Sequence, residues 1–153
     1  MIPGNSPVRF RGWDKYGYAE FEGRFVLTGT FTYGCWSGCA DYDGPVEEAD
    51  LDVRIVPDPQ LAARLPHWKD RNNDMLILIK RGDALATSIA SPRQQAALRA
   101  GKVEYIRGRT AIVVDDFRTG IECDSAGFRA RFVAISKAPK LARVELNGEY
   151  GCA

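Results

Sequence analysis

The chain has 153 residues, 45% hydrophobic and 27% charged, an ordinary globular composition that excludes wholesale disorder. A formal net charge of +1 excludes a partner held by the field of the whole molecule, such as bulk polyanion. The longest apolar run, residues 75–79, falls far short of a membrane-spanning helix, so no membrane span is expected.

One soluble domain over residues 1–153 is expected, because a chain of this size buries roughly two-thirds of its unfolded surface without a metal or disulfide. Residues 1–19 are rich in Gly, Pro and aromatic side chains and predict an irregular N-terminal arm. Residues 21–33 predict a strand, with Phe25, Leu27, Phe31 and Tyr33 on one face and Val26, Thr28, Thr30 and Thr32 on the other. Gly29 interrupts the apolar face and predicts a bend or bulge. A turn-rich stretch, 34–49, leads to a second strand in which Leu51, Val53 and Ile55 alternate with Asp52 and Arg54, ending at Pro57. Asp58-Pro59 opens a short helical turn.

Residues 75–80 are apolar on both faces and predict a central strand, with 84–90 returning as its hairpin partner. The best helix covers 92–100: Ser91 caps it, Pro92 takes the first position, Gln94 completes a capping box and Gly101 closes it. Residues 103–106, 110–114, 128–135 and 143–146 read as strands. Parallel α/β folds need a helix between nearly every strand pair, and too few are present. The expected fold is mostly β, a small antiparallel barrel with one short helix between strands. That order resembles the oligonucleotide/oligosaccharide-binding barrel, and a β-sandwich or β-roll is the alternative.

His67 is the sole histidine, and no nucleophile elbow, zincin, P-loop or dinucleotide glycine pattern is present. No catalytic residue, cofactor or metal is therefore assigned, although a hydrolase using two carboxylates survives that test. Between Asp41 and Asp58 seven acids face one base, which predicts a solvated acidic loop; Asp41-Tyr-Asp43-Gly44 lacks the rest of a calcium loop. From 101 to 143 nine bases face five acids. Arg107 with Arg109, and Arg129 with Arg131, each project from one side of a strand. Because acids are interleaved with the bases, the favoured expectation is cross-strand pairing of these arginines with Asp115, Asp116, Glu104 or Glu122 on a solvated sheet face. The alternative is a basic, aromatic-dotted groove with Tyr105 and Phe117.

Cys35, Cys39, Cys123 and Cys152 are candidate disulfide partners whose pairing the spacing leaves open. A single C-x₃-C pair is a poor zinc site. Paired cysteines favour an exported or periplasmic protein whose signal has been removed; reduced ones favour the cytoplasm. Trp36, between two cysteines, is a candidate anchor for a partner. The expected function is non-catalytic binding of a protein partner, as an accessory or inhibitor-like domain. Binding of single-stranded nucleic acid or an anionic glycan is the first rival, and a carboxylate-dependent hydrolase the second.

Overall fold

The computed structural model describes residues 1–35, 51–69, 74–80 and 82–146. Along them run β1 (Arg9–Trp13), β2 (Ala19–Glu22), β3 (Phe25–Cys35), β4 (Leu51–Pro57), α1 (Pro59–Ala62), β5 (Ile77–Lys80), α2 (Gly82–Ile89), α3 (Pro92–Arg99), β6 (Val103–Glu122) and β7 (Ser125–Leu146). The protein is mostly β.

In β3 the period of two is realised: Phe25, Leu27, Phe31 and Tyr33 enter the core, while Val26, Thr28 and Thr30 face outward. The strand begins only at Phe25. Gly23 adopts φ +124°, which breaks the strand expected over 21–33 and sets residues 19–22 apart as β2. At Gly29 a Cβ would collide with the Val56 carbonyl oxygen, so the missing side chain admits β4 at pairing distance rather than making a bulge. The arm expected to be irregular over residues 1–19 is in part regular, because β1 pairs antiparallel with β2.

β6 pairs with β3 on one edge and β7 on the other, while β3 joins β4, β4 joins β5 and β5 joins β7. Five strands thus form a ring within one seven-stranded sheet, and the β1–β2 hairpin extends from it along β6. The sheet is mixed, not antiparallel as expected, since β5 and β7 run parallel from Ile77↔Phe128 to Lys80↔Arg131. A parallel pair needs a long connection, and α2, α3 and β6 supply it.

Residues 84–90, expected as a strand, lie mostly in α2. Leu85, Ala86, Ile89 and Ala90 are all buried, which is one helical face; on a strand Leu85 and Ala86 would point to opposite sides. α3 carries the expected Ser91–Gln94 capping box, and α1 is the turn after Asp58, so the described chain has three helices rather than one.

β6 and β7 are long strands, each spanning what reads as two. In β6 the core-facing residues change parity, from Ile106, Ile112 and Val114 to Phe117 and Thr119. The cause is a bulge: Asp116 and Phe117 stand between the pairs Asp115↔Arg131 and Arg118↔Arg129, where β7 has only Ala130. Asp116 takes φ 50° to make it. In β7 Phe128 and Ala130 are buried, but register shifts leave Phe132 half-buried and Ala134 exposed, ending the shared apolar face expected of all four. One main cluster of buried side chains, from β2 to β7 and all three helices, forms the core.

Candidate functional site

The β1–β2 turn is built by Asp14, whose Oδ1 accepts the N–H groups of Tyr16 and Tyr18 at 2.8 and 2.9 Å, while Gly17 takes φ +86°. The Tyr18 amide, more than any other group, holds the Asp14 carboxyl below its ordinary range. This hairpin presents three large exposed rings: Phe10 at 43%, Trp13 at 61% and Tyr16 at 77% relative exposure. Phe10 meets Trp13 edge to face at 5.8 Å, and Trp13 lies 6.2 Å from Trp68. Trp68 is fixed in turn, because its Nε1 donates to Thr119 Oγ1 at 2.9 Å and that hydroxyl donates to the Gly127 carbonyl at 2.8 Å.

Tyr18, on the same hairpin, is buried instead. Its side chain lies against Gly120 and Gly127, where an added Cβ would come within 2.9 Å of the ring and of the hydroxyl oxygen respectively. The Arg129 guanidinium covers the ring at 4.7 Å, and the hydroxyl donates to Glu122 Oε1. Burial first, and then the Glu122 carboxylate, raises the pKa of this phenol.

Beside Tyr18, Arg118 donates to both oxygens of Asp116 at 3.2 and 3.1 Å, to Asp14 Oδ2 at 3.2 Å, and pairs with Glu20 at 2.9 Å. Asp116 leads the causes that raise the Arg118 pKa. Together these groups border a hollow of about 610 Å³. Three carboxylates (Asp14, Asp116, Glu122), three cations (Lys80, Arg118, Arg129) and two tyrosines (Tyr16, Tyr18) line it.

Of the arginines singled out from the sequence, Arg131 pairs with Asp115 and Arg129 with Glu122, as expected of a sheet face with interleaved charges, and the alternative groove does not form. Arg109 stands opposite Lys140 and Arg131 opposite Asp115, so the two pairs are separated by roughly 20 Å of strand path at about 3.3 Å per residue. Arg109 grips Asp58 with two bonds of 2.7 and 2.9 Å, and Arg131 grips Asp115 with two of 2.8 and 2.7 Å. These guanidiniums hold both carboxyls below their ordinary pKa. Phe117, expected as a stacking surface, is fully buried. Arg107 lies half-buried on β6, and only Arg129 among the four reaches the hollow.

Trp36, Cys39, Cys152 and the acids from Asp41 to Asp50 lie outside the described residues. Cys35 is buried and is not a free thiol, whereas Cys123 is free and exposed, so a pairing of all four cysteines does not hold. His67 Nδ1 lies 3.0 Å from the Leu65 carbonyl, which only accepts, so that nitrogen carries the proton. Its backbone exchanges hydrogen bonds with Met1. The imidazole serves its own loop.

No known protein-family model matches the chain, and no curated protein or solved structure matches it either. The site is read from its own chemistry. Among the described residues, the three carboxyls whose pKa departs from the ordinary value (Asp14, Asp58 and Asp115) all move downward, which suits ion pairing rather than proton donation. The aromatic hairpin had a sequence signal of its own: short alternating runs on either side of Asp14-Lys15-Tyr16-Gly17, an Asp-x-x-Gly turn.

Proposed function

We propose that the protein is a non-catalytic binding domain that docks a protein partner on its aromatic hairpin. The observation that carries this reading is the exposure of Phe10, Trp13 and Tyr16 on one hairpin whose base is anchored by buried Tyr18 and Phe21. A monomer gains nothing from holding these rings in water, whereas burying one at an interface is worth roughly 1.5–3 kcal/mol. Aromatic residues also dominate the energetic centres of protein interfaces. The carboxylates interleaved with the arginines count against a nucleic-acid or anionic-glycan ligand, because Asp58 and Asp115 already occupy two of the guanidiniums.

We also read the ring as a small barrel of the oligonucleotide/oligosaccharide-binding kind. Around it β3, β4, β5, β7 and β6 are the first, second, third, fifth and fourth strands in chain order, with α2 and α3 between the third and fourth. Such a barrel supports many ligands, so it supplies the platform and not the partner.

The test is a photo-crosslinking residue at Tyr16, followed by calorimetry of the captured protein against wild type and Trp13→Ala. Trp13→Ala is expected to weaken binding at least about tenfold, or about 1.4 kcal/mol. Unchanged affinity, or cross-links to carbohydrate or nucleic acid alone, removes the reading.

A further inference from the structure

We propose that the hollow beside the hairpin receives a carboxylate side chain of the protein partner, held between Lys80 and Arg129. This rests on the reading of the hairpin as a docking surface. The parallel register of β5 and β7 sets Leu78 beside Arg129 and Lys80 beside Arg131, all four pointing away from the core that Ile77, Ile79, Phe128 and Ala130 enter. Lys80 and Arg129 thereby both reach the hollow.

The acids in the hollow are already engaged. Asp14 receives two backbone amides on Oδ1 and Arg118 on Oδ2, and Asp116 gives both oxygens to Arg118. Glu122 receives the Tyr18 hydroxyl. Arg118 is fully engaged in turn, by Asp14, Glu20 and Asp116. The other two cations are less committed, although the Arg129 guanidinium also covers the Tyr18 ring. The Lys80 side chain makes no ion pair or hydrogen bond among the described residues, and Arg129 reaches Glu122 through one contact of 3.4 Å. A guanidinium has five N–H donors, so most of those on Arg129 are left over.

The uncommitted chemistry of the hollow is therefore cationic, although its lining balances three carboxylates against three cations. That balance discriminates between anions. A nucleic-acid strand would bring successive phosphates against Asp14, Asp116 and Glu122, whereas one carboxylate presents a single charge to Lys80 and Arg129. Tyr16 at the rim, covered by the same partner, would exclude water from the pair and strengthen it.

The experiment is an NMR titration of the isotope-labelled full chain with a capped Glu-rich peptide, its Gln counterpart, an oligothymidylate and inorganic phosphate. The Glu peptide is expected to shift Tyr16, Lys80 and Arg129, and the Gln peptide to leave them still. Lys80→Gln removes a side chain without partners, so the fold is retained, and it is expected to weaken the Glu peptide at least about tenfold. The proposal is overturned if the Gln peptide binds equally, if the oligothymidylate or phosphate binds more tightly, or if Lys80→Gln is silent. Against the cross-linked partner the two readings separate. Loss in Trp13→Ala with Lys80→Gln unchanged keeps the docking surface and rejects the carboxylate; the reverse pattern keeps the carboxylate and rejects the hairpin.

Discussion

Arg118 holds Asp116, two positions before it on the same strand, by two hydrogen bonds of 3.2 and 3.1 Å. The bulge at Asp116 makes this possible, because it turns Phe117 into the core and leaves the charged residues on either side facing outward together. The same guanidinium reaches Asp14 in the hairpin turn and Glu20 in β2. Since β2 meets β6 only at Ala19↔Thr119 and Glu20↔Arg118, Arg118 is the main polar link between the aromatic hairpin and the ring.

Arg118→Ala is therefore expected to destabilise the protein by about 1–3 kcal/mol, because it removes the cation shared by Asp14, Glu20 and Asp116 and leaves Arg11 as the guanidinium beside the last two. Its side chain is 30% exposed, so water screens part of the loss and the lower half of that range is expected. Arg118→Lys should recover some of it, one ammonium replacing a fork. Urea unfolding measures both; a change within about 0.5 kcal/mol, ordinary for a surface site, would show that the apolar contacts of Phe21 hold the hairpin alone.

Gly120→Ala places a methyl group 2.9 Å from the Tyr18 ring, which the Arg129 guanidinium also covers at 4.7 Å. The ring or the strand must shift, at an expected cost of about 1–3 kcal/mol, typical of overpacking. Tyr18→Phe keeps the ring and removes only the bond to Glu122, so about 0.5–1.5 kcal/mol is expected. Thermal unfolding should rank Gly120→Ala as the more damaging. The opposite order would mean that the slot is slack.

Acid should unfold the protein through its paired aspartates. The Asp14, Asp58 and Asp115 carboxyls lie below the ordinary value of 3.8 when folded. Above 3.8 they are ionised in both states and their contribution to stability is fully present. As pH falls through 3.8 the unfolded chain takes up protons first, and stability is lost until the folded carboxyls protonate in turn. Unfolding free energies measured from pH 6 downward should fall below about pH 4, and Asp115→Asn should flatten that limb. An unchanged limb in Asp115→Asn would place the acid sensitivity elsewhere.

The alternation of apolar and polar side chains in β3 and β4, and the capping box of α3, were legible because a period of two and an Ncap hydrogen bond are local properties. Residues 84–90 were misread since a short apolar run has no decisive period, and only the joint burial of Leu85, Ala86, Ile89 and Ala90 against the sheet selects a helix. The candidate site was less legible. Arg129 was visible as one of two outward arginines, but not that Tyr18, more than 100 residues away in sequence, lies beneath it.

What the sequence determined by itself is a mostly β chain with a well-capped helix, and which side chains face inward along β3 and β4. Only the tertiary structure decided the parallel pairing of β5 with β7, the parity change at Asp116, and which acids neutralise which arginines. The physical reason is range. Alternation and capping act between neighbours in the chain, whereas ion pairs, ring stacking and strand order depend on which distant segments the core brings side by side.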